Sequence, residues 1–168
     1  MEILIPEYKI DRRIRSVANR VSKDHEASGN QLPPVMICVL NGAFMFYTEL
    51  VKCMDIDMQI DFIRAKSYEG RDNSGGVKIT KELEIDLKGK RVYIVDDMVD
   101  TGATMMEVIN CVNEMMPADV KVVTLVHRKD NKFPVDFYCF EIGDEWVVGH
   151  GFDDNSLKRN YRNIYKLT

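Results

Sequence analysis

The sequence lacks the features that mark membrane-spanning, secreted and nucleic-acid-binding proteins. No run approaches the roughly 20 consecutive apolar residues that cross a bilayer. The first residues, MEILIPEYKI, have neither a basic segment followed by an apolar run nor a cleavage-like site. The formal net charge is −4, which argues against general nucleic-acid binding because such binding needs a basic face. We therefore expect a cytoplasmic globular protein without a nucleic-acid or membrane partner.

Cysteine is scarce and scattered along the chain. The four cysteines are Cys38, Cys53, Cys111 and Cys139, and no two of them form a CxxC pair. Each has apolar neighbours, so we interpret them as buried thiols of a reducing compartment and not as a metal cluster.

The length of 168 residues predicts a single domain spanning residues 1–168.

Apolar runs of strand length alternate with helical patterns. Strands are predicted at VMICVL (35–40), at 58–65, at RVYIVD (91–96) and at VKVVTLV (120–126), and helices at 10–21, after the turn at 41–43 and at 101–115. Strands that are apolar throughout predict a parallel sheet covered on both faces, hence a doubly wound α/β fold with a mostly parallel sheet. An irregular part is expected after residue 128, and the polar segment at 69–76 is expected to be a mobile lid.

The stretch VYIVDDMVDTGAT (92–104) combines an apolar strand with acids and a Thr-Gly-x-Thr turn. Residues 101–104 open a helix, so free backbone N–H groups there can bind a phosphate, and Gly102 permits close approach. Asp96 and Asp97 lie at the strand end, where carboxylates suit sugar hydroxyls or a Mg²⁺ ion. Asp100 lies between this pair of acids and the phosphate-binding turn. The mixture of charges fits a phosphorylated sugar that carries its own divalent ion.

Three other interpretations of this stretch fit its residues less well. A P-loop would need a Gly-Lys-Ser/Thr sequence, and the turn contains no lysine. A phospho-accepting receiver domain also ends a strand with paired aspartates, but those belong near the start of such a domain. A helix start whose acids complement the dipole explains one aspartate well and three poorly.

The same stretch resembles the phosphoribosyl-pyrophosphate signature of type I phosphoribosyltransferases. Three further segments resemble the hypoxanthine-guanine branch: ICVLNGAFMF (37–46) its pyrophosphate loop, IDFIRAKSY (60–68) the start of its lid, and FEIGDEWVVGHGFDDN (140–155) its purine pocket. The resemblance runs from about residue 35 to 162. It implies a purine salvage transferase that joins hypoxanthine or guanine to phosphoribosyl pyrophosphate and releases pyrophosphate.

The resemblance also implies roles for single residues around the sugar. Asp96 and Asp97 would hold the ribose hydroxyls, and Asp100 would be the general base or hydrogen-bond acceptor for a purine ring nitrogen. The 5-phosphate would be bound by the loop of Val99, Asp100, Thr101, Gly102, Ala103 and Thr104. The Mg²⁺ ligands would be Asp96, Asp97 and Asp153.

Further roles concern pyrophosphate and purine. Pyrophosphate would be bound by Leu40, Asn41 and Gly42, through an unusual peptide geometry, by Arg159, and by Ser67 and Tyr68 from the lid. Arg128 would contact the purine 6-oxygen, Trp146 would stack on the ring, and the Val147 backbone would bind the base. Asp153 would lie beside the purine. Alternative interpretations make Trp146 a core residue, Ser67 and Tyr68 an ordinary strand end, and the basic C-terminal residues a solvated surface; His127 and His150 have no predicted role.

Two positions depart from the family pattern. Asn41 replaces the usual Lys or Arg of the pyrophosphate loop, and Arg128 replaces the usual lysine that reads the base.

The resemblance implies a homodimer or homotetramer. Two alternative functions stay open: a xanthine-preferring transferase, and a phosphoribosyl-pyrophosphate-sensing regulator without turnover.

Overall fold

The computed structural model describes residues 1–68 and 76–167. The elements of this part of the chain are β1 (Glu2–Ile5), α1 (Glu7–Ala27), β2 (Val35–Leu40), α2 (Phe44–Lys52), β3 (Gln59–Tyr68), β4 (Gly76–Lys81), β5 (Arg91–Met98), α3 (Ala103–Glu114), β6 (Asp119–Arg128), β7 (Phe137–Ile142), β8 (Val147–Val148) and β9 (Ile164–Lys166). No helix in the described ranges is long and apolar enough to cross a membrane.

The main sheet has six strands in the order β4-β3-β2-β5-β6-β7. All neighbours are parallel except β3 and β4, which are antiparallel. The central strand β2 is buried over most of its length and β5 is buried at residues 92–95, as expected for strands covered on both faces. The strand order reverses direction between β2 and β5, so their carboxyl ends flank a crevice of the kind in which doubly wound folds bind ligands.

Helices cover both faces of this sheet. On one face α1 buries Ile10, Ile14 and Val17 at helical spacing and packs with α2. On the other face α3 buries Met105 and Val108 against a second apolar cluster. The predicted doubly wound, mostly parallel α/β fold is confirmed.

Several predicted boundaries and one predicted region need correction. The chain after residue 128 is not wholly irregular: β7 joins the main sheet as its last parallel strand, packed against α1. Helix α1 is longer than the predicted 10–21, because the residues at its two ends are mostly polar and do not extend the apolar pattern, although Ser22 and His25 are buried. The N-terminal strand β1 was not predicted; it pairs with β9 in a small sheet of order β1-β9-β8. Of the predicted lid at 69–76, residues 69–75 lie outside the described residues, and Gly76 begins β4.

Candidate active site

A cleft with two parts lies at the carboxyl ends of β2 and β5. The first part is a cavity of about 280 Å³ lined by the strand ends and the loop that follows β5. The second, of about 230 Å³, is lined by residues from β6 and the C-terminal segment. Four residues line both parts: Asp97, Met98, Asp100 and Asp153. The cleft can therefore hold one ligand that extends from one part into the other.

Asp96 and Asp97 lie side by side, half-buried, and both line the first cavity. Asp96 Oδ1 accepts a hydrogen bond from the Asp97 N–H at 2.9 Å, and Asp97 Oδ1 accepts one from the Met98 N–H at 2.8 Å. Burial raises the pKa of Asp96 well above its usual range, and the neighbouring Asp97 charge raises it further. Burial also raises the pKa of Asp97. Ionising both of these crowded carboxyl groups is therefore unfavourable, and a bound cation or a hydroxyl-rich ligand would lower that free-energy cost.

The loop after β2 lies directly on Asp97. The Leu40–Asn41 peptide bond is cis, which is the unusual geometry expected here. A methyl group at Gly42 would lie 2.1 Å from Asp97 Oδ2, so only glycine leaves room for that carboxylate. Leu40 and Gly42 line the first cavity, and Asn41 faces a neighbouring one that it shares with Arg159.

The turn before α3 forms one wall of the first cavity. Gly102 adopts a left-handed φ of 88°, and its α-carbon lies against the Phe133 ring, so a side chain there would be both strained and obstructed. Helix α3 begins at the next residue, and Thr101 and Thr104 line the cavity. Unpaired N–H groups of a helix start beside an open cavity can bind an anion.

The second cavity has an apolar side formed by aromatic and aliphatic residues and a cationic side formed by Arg128. Trp146 is 65% exposed and lines it, together with the buried Val147 and Phe152. The interpretation of Trp146 as a core residue is therefore wrong. Arg128 donates from Nη1 to the carbonyls of Gly143 at 2.7 Å and Glu145 at 3.3 Å. These bonds fix its guanidinium at the edge of the cavity.

Asp100 lies where the two cavities meet. Its side chain is 77% exposed, and Oδ1 is 4.0 Å from Arg128 Nε. A carboxylate in this position is free to accept a proton or a hydrogen bond from a ligand that occupies the second cavity.

Arg159 is held at the edge of the first cavity by two contacts. It donates from Nη1 to the Gly151 carbonyl at 2.5 Å, and Nη2 lies 2.7 Å from Asp153 Oδ1. Asp153 Oδ2 accepts from the Ser156 N–H at 2.7 Å. Among its basic neighbours, Lys158 pairs with Asp154 and Arg162 with Glu7, and neither of them lines the cavities described above.

Most of the residues singled out from the sequence converge on this cleft, and a few do not. Ser67 is exposed near the end of β3, paired with Val77, and does not line the described cavities. Tyr68 is placed only through its backbone, opposite Gly76. Ala103 is exposed as the first residue of α3.

The structure adds residues that the sequence did not indicate. Met98 and Phe152 line the cleft, and Asn131 contacts the loop before α3. His150 has no role by sequence, yet it is buried with Nε2 3.0 Å from Glu49 Oε2. A DN pair such as that at 130–131 is typical of a turn, and no sequence signal linked it to the site.

Comparisons with known proteins agree with this geometry. Residues 7–155 match the family model described as "Phosphoribosyl transferase domain". The chain is 35% identical to the hypoxanthine-guanine-xanthine phosphoribosyltransferase of Tritrichomonas foetus, over 94% of this chain and 86% of that protein. It is 34% identical to the hypoxanthine phosphoribosyltransferase of Escherichia coli (strain K12), over 98% and 92%.

Solved structures lead to the same family. A hypoxanthine-guanine phosphoribosyltransferase of Bacillus anthracis superimposes with a TM-score of 0.91 at 28% identity, covering 100% of this chain and 99% of that one. A variant of the Trypanosoma cruzi hypoxanthine phosphoribosyltransferase, described as complexed with the product IMP, has a TM-score of 0.90 at 29% identity and covers 100% and 90%. This chain belongs to the phosphoribosyltransferase family, in its hypoxanthine-guanine branch.

Proposed function

We propose that this chain is a Mg²⁺-dependent purine salvage enzyme that joins hypoxanthine or guanine to phosphoribosyl pyrophosphate. A bond forms between the sugar C1 and a purine ring nitrogen, the bond from C1 to the pyrophosphate oxygen breaks, and the purine loses one proton. The products are IMP or GMP and pyrophosphate. The observation that carries the proposal is the two-part cleft whose acidic and phosphate-binding part meets its aromatic part at Asp100.

Each part of the cleft suits one portion of the substrates. The 5-phosphate would bind at the turn formed by residues 99–104, where the α3 N–H groups are available. The pyrophosphate would bind between Gly42 and Arg159, where Arg159 adds a fixed positive charge to a developing leaving group. The ribose would lie above Asp96 and Asp97, between these two sites.

The residues at the base of the first cavity fit a Mg²⁺ ion. Asp96 and Asp97 offer adjacent carboxylate oxygens, the ligand type that Mg²⁺ prefers, and Asp153 lies nearby but is engaged by Arg159. Within residues 1–68 and 76–167, no three acidic, His or Cys side chains are grouped closely enough to form a metal site by themselves. Mg²⁺ is commonly held by one or two carboxylates together with substrate oxygens, and when bound it supplies charge neutralisation for the pyrophosphate.

The purine would bind in the second cavity, with its ring against Trp146. Val147 would present backbone groups to it, and Asp100 would act on a ring nitrogen as general base or hydrogen-bond acceptor, since both residues line this cavity. The Arg128 guanidinium only donates hydrogen bonds, so it pairs with a 6-oxygen and opposes the 6-amino group of adenine. These contacts select 6-oxopurines.

The proposal also includes a cellular location and an oligomeric state. A cytoplasmic location is proposed because all four cysteines are free thiols, which persist in reducing compartments. A homodimer or homotetramer is proposed from the family resemblance, and light scattering during gel filtration would distinguish them.

The direct experiment incubates purified protein with phosphoribosyl pyrophosphate, Mg²⁺ and one purine at a time. Nucleotide formation is followed by absorbance and pyrophosphate release by a coupled assay, with reactions lacking Mg²⁺ or either substrate as controls. The proposal expects equal amounts of nucleotide and pyrophosphate with hypoxanthine and with guanine. Binding of phosphoribosyl pyrophosphate without pyrophosphate release with any purine would favour the sensing alternative. A clear preference for xanthine would favour the other alternative.

A further inference from the structure

We propose that Asn131 is a positioning residue that orients the peptide groups of the phosphate-binding loop toward the substrate. Asn131 lies in the β6–β7 connection, outside the loop it contacts and outside the two-part cleft. The inference rests on the proposed function, because it assigns a role in binding the 5-phosphate at residues 99–104.

The Asn131 side chain bridges two segments of the chain. Its Nδ2 donates to the carbonyl oxygens of Val99 at 2.5 Å and Asp100 at 2.8 Å. Its Oδ1 accepts from the Phe133 N–H at 2.8 Å, and its own N–H donates to the Arg128 carbonyl at 3.0 Å. One amide group therefore ties two consecutive carbonyls of the loop to the segment that carries Arg128.

The chemistry of these partners fixes the orientation of the amide. Backbone carbonyls only accept and a backbone N–H only donates, so the NH₂ group must face Val99 and Asp100 and the oxygen must face Phe133. Aspartate at this position would offer the same shape without donors and would set a carboxylate against two carbonyl oxygens. Alanine would remove all of the side-chain bonds.

Holding the two carbonyls determines where the matching N–H groups point. The peptides 99–100 and 100–101 are trans, and in a planar trans peptide the N–H points opposite to the C=O. Because both carbonyls point to Asn131, the N–H groups of Asp100 and Thr101 point away from it. Asp100 and Thr101 line the first cavity, and Asn131 does not. The bridge thus presents two donors to the place where the 5-phosphate is proposed to bind.

A second contact in the same connection supports this role. The Phe133 ring packs against the α-carbon of Gly102, so the β6–β7 connection meets the loop through one polar and one apolar contact. The polar contact controls peptide orientation, and the apolar contact controls distance. Loss of the amide would leave the loop in place but free to rotate its peptides.

The chain offers a matched control at Asn30. Its Oδ1 accepts from the Leu32 N–H at 2.9 Å, and its Nδ2 donates to the Gly89 carbonyl at 3.0 Å. This is the same combination of a local turn bond and a bond to a distant segment. It lies before β2, at the edge of the sheet opposite the cleft.

The test measures binding of ribose 5-phosphate and of Mg²⁺-pyrophosphate by calorimetry to wild type, Asn131→Asp, Asn131→Ala and Asn30→Asp. Ribose 5-phosphate carries the 5-phosphate without a base or pyrophosphate, and pyrophosphate probes the opposite end of the cavity. Both Asn131 variants should bind ribose 5-phosphate about 10- to 100-fold more weakly, the range expected for lost hydrogen bonds to a charged group. They should bind pyrophosphate within about threefold of wild type, and Asn30→Asp should bind both ligands normally.

Each other outcome contradicts a defined part of the account. Asn131 variants that bind ribose 5-phosphate like wild type, or that lose both ligands equally, overturn the positioning role. If Asn131→Asp does not fold, the same comparison with Asn131→Ala decides. A folded wild-type protein that binds neither ligand contradicts the proposed function itself, which separates that failure from a failure of the Asn131 assignment.

Discussion

Gly42→Ala tests how closely the pyrophosphate loop and Asp97 depend on each other. The added methyl carbon would lie 2.1 Å from Asp97 Oδ2 and 2.6 Å from Cγ. Ordinary contacts need about 3.5 Å, so the carboxylate or the loop must move by roughly 1.4 Å. Misplacement of a site by about 1 Å can cost on the order of 10² in rate. We expect kcat/KM for phosphoribosyl pyrophosphate to fall about a hundredfold, measured by absorbance with hypoxanthine.

A double-mutant cycle separates this contact from general damage to the loop. All three nearest atoms to the added methyl group belong to the Asp97 side chain. In an Asp97→Ala background Gly42→Ala should therefore change the melting temperature and ligand binding very little, whereas alone it should cost about 1–3 kcal/mol of unfolding free energy. Gly42→Ala with a kcat/KM within threefold of wild type would refute the reasoning. Equal destabilisation in both backgrounds would refute it as well.

Three further predictions follow from the charges and thiols. Asp96→Asn removes one of two crowded, half-buried carboxylates whose ionisation is unfavourable in the folded protein, so the free protein should gain about 0.5–2 kcal/mol in stability and melt a few degrees higher while losing activity. A lower melting temperature would contradict this. Asp100→Asn should lower kcat by about 10²–10⁴ and leave phosphoribosyl pyrophosphate binding nearly unchanged by calorimetry, and a kcat within threefold of wild type would exclude the role. Burial raises the pKa of Cys38 and Cys139 to about 12. Unfolded thiols ionise at lower pH than these folded ones, so the unfolding free energy should fall as the pH rises from about 9 to 12, and a flat profile would contradict the burial argument.

The sequence predicted the centre of the fold better than its edges. Strands β2, β5 and β6 are buried on both faces, so their uninterrupted apolar runs stand out. Strand β7 is at the edge of the sheet and only partly buried, so its mixed pattern resembled a loop. Strand β1 has four residues and pairs with β9 at the other end of the chain, a contact that no local pattern reveals.

The same contrast applies to the candidate site. The acids and the turn at 96–104 are contiguous, so their chemistry could be interpreted directly from the sequence. The contact of Gly42 with Asp97, the pairing of Arg159 with Asp153 and the bridge from Asn131 join segments that are far apart in the chain. Such contacts depend on the fold, and the sequence alone does not specify them.

The most direct test of the central claim measures kcat/KM for hypoxanthine, guanine, xanthine and adenine on one preparation. Arg128 is fixed at the edge of the second cavity by two backbone carbonyls, and it offers only hydrogen-bond donors to a purine. Sites built for a polar partner can reject the wrong analogue by about 10⁴, because buried polar groups are left unpaired. Hypoxanthine and guanine should both react, xanthine should show measurable activity, and adenine should be excluded by about that factor. Adenine that matches or exceeds hypoxanthine would contradict both the role of Arg128 and the proposed purine specificity.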